Sequence, residues 1–394
     1  MPNPQTAMTP RRAVLTLGVT QTIGYACSTY LPATLAKPMA ADVGMSSSAV
    51  FLAFSAALLL QAVTGPRIGR LVDQRGGRLP LSVASVLFAA GLIGLALSHT
   101  PATLIISWFV IGFGMSAGLY DIAFAGLVGW FGADARRSIT GVTLIAGFAS
   151  TIGWPLTAWL EHAVGWRGAC LAWAALNILI ALPLHLTLPR APATKPEPAH
   201  DAPPVSDAAL PGDMAKMVLM ATAFAVQSAI GSAMSAHLPP LLNAIGVGAA
   251  AAVAAAALVG PAQVAARLAE FALVRRIHPL ISGRFAVAMF PIGAVLLIVF
   301  GGIAAAPFTI LYGACNGLFT IVRGALPLAL FGEHNYGRRL GVLNVPARLL
   351  QAASPFVFAL MLERSANLAL AIMAVGSVLA LGALLMLRKP ESAA

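Results

Sequence analysis

The chain has 394 residues, of which 59% are hydrophobic and only 9% are charged, and its mean hydropathy is +0.86. This composition excludes an ordinary soluble domain and favours an integral membrane protein. The formal net charge of +11 does not predict a nucleic-acid partner, because the basic residues cluster at the ends of apolar runs rather than on one soluble face.

Twelve apolar runs cover most of the chain, and each is long enough to cross a hydrocarbon core of about 30 Å. We predict helices for all of them, because backbone polar groups in lipid must be satisfied within the segment or in a closed barrel. The Ala/Leu/Gly-rich runs lack the alternation of barrel strands. The predicted spans are residues 12–36, 48–69, 80–98, 102–131, 139–160, 167–188, 215–238, 249–272, 284–303, 306–331, 340–361 and 366–387.

The basic residues are distributed unevenly between the two ends of these spans. With the N-terminus inside, 18 of the 24 Lys and Arg residues lie on the cytoplasmic side, three outside and three within spans. This bias predicts cytoplasmic termini, in a bacterial inner membrane. The first apolar run is too long for the core of a signal peptide and lacks a cleavage site, so none is predicted.

The chain divides into two halves that resemble each other. Residues 189–214 are rich in Pro, Ala and charge and predict a cytoplasmic linker. The linker separates an N-terminal six-helix bundle (1–188) from a C-terminal one (215–394). Phe131-Gly132 and Gly141-Val142 recur 200 residues later as Phe331-Gly332 and Gly341-Val342. Tyr30-Leu31-Pro32 near the outer end of the first span resembles His237-Leu238-Pro239 near that of the seventh. Two six-helix halves related by an internal repeat are typical of secondary transporters.

A loop between the second and third spans carries a motif that resembles the major facilitator superfamily. Its pattern G-x-L-x-D-x-x-G-x-(R/K) is matched by Gly69, Leu71, Asp73, Gly76 and Arg78. The resemblance covers the whole chain and implies twelve helices in two pseudo-symmetric halves that act as a monomer. It also implies that Gly69, Asp73, Gly76 and Arg78 form a gate, in which Asp73 caps a helix N-terminus or pairs with an arginine. The equivalent loop in the second half has Val274 in place of the acid, which indicates a degraded copy.

A second resemblance is to the monocarboxylate-porter branch of that superfamily. In that branch an arginine of the eighth span binds a carboxylate, and an aspartate lies four residues before it. This chain has the arginine, Arg267, but Gln263 occupies the position of the aspartate. The first-span acid of the branch is also absent between Thr20 and Leu31. The matching residues are Gly112, Gly114, Tyr120, Trp130, Phe131, Arg136, Arg137, Gly141, Gly165, Trp166, Arg167 and Arg267.

Four charged residues lie well inside predicted spans rather than near their ends: Asp121, Arg267, Arg323 and Arg348. Charge within a span is expensive and usually functional. Arg267 and Asp121 lie at similar depth, so they could form a contact between the halves. One interpretation of Arg267 is that it binds an anionic substrate, because a guanidinium binds carboxylates and oxyanions bidentately. The alternative is a structural arginine whose charged end extends to the cytoplasmic interface. Asp121 could exchange a proton as its partner leaves, or it could form a fixed salt bridge.

We expect the remaining candidates to line the cavity that would receive the anion. Gly324 and Pro327 predict a helix break beside Arg323, whereas Arg348 lies near the cytoplasmic face and could either bind substrate or snorkel. Tyr25, Gln263 and Asn316 could add hydrogen bonds. Cys27, Cys170 and Cys315 lie within spans without metal-type spacing, so neither a metal site nor a cofactor is predicted.

Three cations facing one anion favour a secondary carrier of a small organic anion, driven by protons or by exchange. The alternative is an exporter of drugs or of metalloid and oxyanion compounds. An enzyme is not predicted, because the sequence contains no Walker A loop, metal-ligand cluster or nucleophile elbow.

The charge bias makes a direct prediction about topology. Reporter fusions at residues 200 and 394 should both report a cytoplasmic location, because 18 of the 24 basic residues lie on that side. A fusion at either position that reports the outer side would contradict the predicted orientation.

Overall fold

A computed structural model describes residues 8–190, 213–273 and 277–388, and these are helical throughout apart from short connections, with no strand among them. The first half contains α1 (Pro10–Cys27), α2 (Leu31–Val43), α3 (Ser47–Arg75), α4 (Arg78–Ala96), α5 (Pro101–Gly118), α6 (Tyr120–Phe131), α7 (Ala135–Ala146), α8 (Ala149–Leu176) and α9 (Leu182–Leu186). The second half contains α10 (Asp213–Ala244), α11 (Ala249–Ala257), α12 (Val259–Leu273), α13 (Pro279–Phe300), α14 (Ala305–Phe331), α15 (Tyr336–Arg364) and α16 (Ala366–Met386).

These helices combine into the twelve predicted spans. The first, fourth and eighth spans consist of two helices each, namely α1–α2, α5–α6 and α11–α12. The fifth and sixth spans divide at Gly165 within α8, where a positive φ of 73° interrupts the helix. Among the described residues, two mainly apolar helical stretches, Pro101–Leu186 with 86 residues and Pro279–Phe331 with 53, are each too long for one crossing of about 20 residues. The all-α membrane architecture is therefore confirmed.

The outer surface of the helices is apolar. Large apolar side chains are exposed around the molecule, including Ile303 at 91% exposure, Leu179 at 72% and Phe356 at 70%. Such a surface is favourable only where lipid replaces water as the solvent of the side chains.

Apolar packing follows the two halves of the chain. One buried cluster joins residues 23 to 181 around Trp108, and another joins residues 230 to 374 around Phe290. A third cluster combines both halves, with Phe124 from the first half and Tyr336 from the second. This separation agrees with the predicted bundles, although most of the predicted linker (191–212) lies outside the described residues and the boundaries stay a prediction.

The two halves cross most closely where α3 meets α15. A Cβ atom at Gly69 would overlap the carbonyl oxygen of Gly337, and one at Gly341 would lie 2.8 Å from the Pro66 Cα atom. Small residues spaced four apart allow helices in lipid to approach to backbone contact. The glycines therefore permit this contact between the halves.

Candidate functional site

The fourth span is interrupted in the middle of the molecule. Leu119 adopts an extended conformation (φ −91°, ψ −173°) between α5 and α6. Side chains from other spans satisfy nearby carbonyl groups: Gln21 Nε2 donates to Gly118 O at 2.6 Å and Gln61 Nε2 to Met115 O at 3.2 Å. The predicted span 102–131 was continuous and did not include this break, although a glycine followed by an acid in the next helical turn was an available signal.

The break places Asp121 in the first turn of α6, beside an arginine of the other half. Arg348 Nη2 lies 3.5 Å from Asp121 Oδ2, and the two side chains are 7% and 20% exposed. Arg348 Nη1 also donates to Gln351 Oε1 at 2.9 Å. Arg348 is therefore buried in an ion pair that joins the halves, and the snorkelling alternative is wrong for this residue.

Arg323 belongs to the same cluster of charges. Its Nη2 donates to Asn344 Oδ1 at 2.5 Å, and it lies within electrostatic range of Arg348, Asp121 and Tyr25. The predicted break beside Arg323 is wrong, because α14 continues from Ala305 to Phe331 with Pro327 inside it. Two arginines of the second half thus face one carboxylate of the first.

Arg267 occupies a separate position at the interface between the halves. It is only 4% exposed, and a Cβ atom at Gly147 would overlap its guanidinium. Its Nε lies 3.4 Å from Gly317 O and its Nη2 3.4 Å from Gln263 Oε1. Nη1 is buried with no hydrogen-bond partner among the described residues. The contact with Asp121 that similar depth suggested is not formed, because Asp121 faces Arg348 instead.

Aromatic residues of the first half lie between these cationic positions. Tyr25 and Tyr120 have ring centroids 4.7 Å apart, and Tyr120 stacks on Phe124 at 5.1 Å. Tyr25 is within electrostatic range of Arg348, Asp121 and Arg323, and Tyr120 is within range of Arg267. The tyrosine pair thus connects the two cationic positions; of the pair, the sequence proposed only Tyr25 for binding.

Other sequence candidates lie apart from this centre. The Asn316 amide faces α10 of its own half, because its Oδ1 would lie 3.7 Å from a Cβ atom built at Gly231 in that helix. The three cysteines are free and buried. Within the described ranges, no group of three or more His, Cys, Asp or Glu side chains could hold a metal ion.

The loop motif forms a contact between the halves at one end of the molecule. We call this end the latch face and define it as the C-terminal ends of α3, α6, α12 and α14 together with the described residues that directly follow them. Asp73 Oδ1 accepts from Gly337 N at 2.8 Å, and Asp73 Oδ2 accepts from Arg338 N at 2.8 Å. The carboxylate thus caps the N-terminus of α15, whose own N-cap residue makes no side-chain hydrogen bond. A negative charge is favourable at this end of a helix.

The other motif residues shape this loop. Gly76 ends α3 with a φ of 77°, which favours glycine, and Arg78 is the first residue of α4. Gly69 allows the close crossing with Gly337. The gating role of the four residues stays a prediction.

A second set of contacts joins the halves at the latch face, and the sequence analysis missed it. Arg136 forms a 3.0 Å salt bridge with Glu270 and donates to Ile277 O at 2.6 Å. Ala133 N donates to Glu333 Oε1 at 2.7 Å. Val274, the residue that indicated a degraded second copy, lies outside the described residues. The second half therefore contributes different groups to the closure.

The Asp73 cap leads to a prediction about rate. The Asp73→Asn substitution should slow exchange transport while leaving substrate affinity nearly unchanged, because the lost charge weakens the interaction with the N-terminus of α15 by roughly 0.3–1 kcal/mol at a distance from the arginines. Exchange rates and affinity would be measured in proteoliposomes, with Glu363→Gln at the exposed opposite end of α15 as control. Lost binding at an unaltered exchange rate would contradict a gating role.

Comparison with known proteins places this geometry in a family. The model of the Major Facilitator Superfamily matches residues 17–311. The "Uncharacterized 38 kDa protein in 23S RNA operon" of Thermoproteus tenax is 35% identical over 156 residues, which are 39% of this chain and 40% of that protein. The matched region thus spans about two fifths of that relative.

Solved structures share the fold across nearly the whole chain. The human organic anion transporter MFSD10 (TETRAN) superimposes with a TM-score of 0.73 at 17% identity, covering 96% of this chain and 100% of that one. The proton:xylose symporter XylE bound to 6-bromo-6-deoxy-D-glucose gives a TM-score of 0.71 at 16% identity, with 94% of each chain covered. A double-tryptophan variant of XylE gives 0.79 at 16% identity, with 97% and 96% covered. The chain belongs to the major facilitator superfamily and is a multi-pass membrane transporter, not an enzyme.

Proposed function

We propose that this transporter moves a small organic anion of the monocarboxylate type by alternating access, coupled to protons or to exchange. The observation that carries the proposal is the charge balance of the centre: Arg267, Arg323 and Arg348 against the single carboxylate of Asp121. An uncompensated cation inside a membrane protein is expensive unless an anion joins it. Arg267 provides an incompletely satisfied guanidinium, since its Nη1 is buried and without a partner among the described residues.

The fold alone does not choose the substrate. The neighbouring structures include an organic anion transporter and a xylose symporter, and one fold supports many substrates. The resemblance to the monocarboxylate-porter branch supports a single carboxylate, which the planar fork of an arginine binds bidentately. Gln263 replaces the acid of that branch, so Asp121 is the acid that we assign to proton coupling.

The contacts between the halves support alternating access. The polar contacts of Asp73, Arg136 and Glu333 across the halves all lie at the latch face. At the far end, α2 packs mainly on α3 and α8, and α11 packs mainly on α10, α12 and α14, each within its own half. This arrangement corresponds to a transporter closed at the latch face. We place the latch face on the cytoplasmic side of a bacterial inner membrane. We also propose that the monomer is the functional unit.

An exporter of drugs or of metalloid and oxyanion compounds remains the second candidate. The same arginines suit inorganic oxyanions, whereas they disfavour cationic drugs. Uptake of labelled short monocarboxylates and inorganic oxyanions into proteoliposomes, with and without a pH gradient, separates the two candidates. Transport of oxyanions or neutral drugs without any carboxylate transport would contradict our proposal.

Arg267 should bind the anion directly. The Arg267→Ala substitution should weaken carboxylate uptake roughly 10- to 100-fold, because a hydrogen bond to a charged group contributes about 1.5–3 kcal/mol. The Arg267→Lys variant should restore only part of the activity, because lysine lacks the planar fork. Concentration-dependent uptake measures both effects, with Arg364→Ala at the exposed end of α15 as control. Normal transport by Arg267→Ala would shift the binding role to Arg323.

Asp121 should couple transport to protons. In Asp121→Asn, accumulation driven by a pH gradient should be lost while substrate exchange continues, since an amide keeps the shape but cannot titrate. If the pair with Arg348 is only structural, this variant should lose stability, because stranding one partner of a buried pair costs about 3–5 kcal/mol. The double variant Asp121→Asn/Arg348→Gln should then recover the stability. Flux and thermal unfolding measured together distinguish these results, and a stable Asp121→Asn protein with normal pH-driven flux would contradict both roles.

A further inference from the structure

A small cavity lies between the two halves, directly behind the Asp73 latch. It is bounded by α3, α6 and α15 together with the end of α5. Its size suits about one water molecule, and a buried water needs several polar partners. The residues relevant to its chemistry are Gln61, Gly65, Ser116, Asp121, Gly337 and Arg348.

Gln61 presents an unused acceptor at this cavity. The residue is 4% exposed, and its Nε2 donates to Met115 O at 3.2 Å. Because a carbonyl oxygen can only accept, this bond fixes which end of the amide is the oxygen. The buried Oε1 has no hydrogen-bond partner among the described residues. A buried acceptor of this kind calls for a small donor in the adjoining space.

Ser116 and Asp121 supply the other polar groups. The hydroxyl oxygens of Ser116 and Thr64 lie 2.8 Å apart, so Ser116 can donate or accept toward the cavity. The Asp121 carboxylate forms another part of the wall. Together with Gln61 these groups provide the several partners that a buried water requires.

The same cavity adjoins the latch. Gly337 lines it, and the backbone N–H of Gly337 donates to Asp73 Oδ1 at 2.8 Å. Tyr336, whose hydroxyl donates to Gly324 O at 2.7 Å, is within electrostatic range of both Asp73 and Asp121. The cavity therefore extends from the first turn of α15, which binds Asp73, to the side chain of Asp121.

The charged and titratable groups around Asp121 come from three other helices. Arg348 from α15 is a cation 3.5 Å from its carboxylate. Arg323 from α14, Tyr25 from α1 and Tyr336 from α15 lie within electrostatic range of it or of the same cluster. Loss of the carboxylate charge would therefore remove the acidic partner of Arg348.

We propose that this cavity is a proton route that connects the latch face with Asp121 while the substrate path is closed there, with Gln61 as a positioning residue. The proposal rests on the proposed proton coupling. A proton arriving from the latch face converts the water held by Gln61 into hydronium. The hydronium transfers one proton to Asp121 Oδ, leaving neutral water and a neutral carboxylic acid. The ion pair with Arg348 is then lost, and the guanidinium becomes available to the anion.

Gln61 and Ser116 allow a direct test of the route, because each lines the cavity and offers it a polar group. The experiment measures proton uptake by the purified full-length protein in detergent after a rapid drop in pH, using a pH-indicator dye. The uptake of Asp121→Asn is subtracted. Gln61→Leu and Ser116→Ala should each slow the Asp121-dependent uptake roughly tenfold or more, since transfer through one positioned water is interrupted.

The matched control is Gln227→Leu. Gln227 is also a buried glutamine within a helix, and its Nε2 donates to Ser377 Oγ at 2.9 Å inside the second half. Its replacement should leave proton uptake unchanged. Thermal unfolding checks that each variant is folded, and Ser116→Ala decides the question if Gln61→Leu does not fold.

Two results would overturn the proposal: uptake at the wild-type rate in both cavity variants, or no Asp121-dependent uptake in the wild-type protein. Both are measured without any substrate. A failure of the anion proposal would instead appear in the liposome uptake panel and would leave this proton measurement intact.

Discussion

The structure depends on satisfying backbone groups of the spans from within the protein, because lipid offers no hydrogen bonds. Where the fourth span breaks at Leu119, Gln21 and Gln61 from two other spans donate to nearby carbonyl groups. In the eleventh span, Pro355 lacks the N–H that would bond to Gln351 O, and Ser232 donates to that oxygen instead at 2.8 Å. Both irregularities are thus tied to side chains of other helices, which positions these spans relative to one another.

The same constraint separates the chemistry of the two halves. The first half contributes Asp121 and stacked aromatic rings to the centre, whereas the second contributes the buried arginines. Aromatic rings provide a neutral wall with a partly negative face toward cations. An anion held by the arginines would therefore lie between halves of unlike character. Motion of one half against the other would change the environment of its charge.

Helix α15 connects the latch with the centre. Its first turn donates to Asp73, its glycines pack against α3, and its middle carries Arg348. About ten residues separate Gly337 from Arg348, which is roughly 16 Å along a helix. A shift of α15 that releases Asp73 would also move the guanidinium that faces Asp121. The contact with Asp73 and the ion pair with Asp121 are therefore made by the same helix.

The sequence by itself determined the membrane class, the twelve helical spans and the position of the Asp73 motif, because hydropathy and loop glycines are local properties of the chain. It also identified the buried charges, since a charge within an apolar run is visible without a structure. The partners of those charges were decided only by the tertiary structure. Asp121 lies at the depth of Arg267 by residue count, yet it faces Arg348, which is 227 residues away. Helix rotation and packing choose between arginines at similar depth, and hydropathy does not record either. The break at Leu119 and the contact of Arg136 with Glu270 were missed for the same reason: groups that stabilise them come from spans distant in sequence.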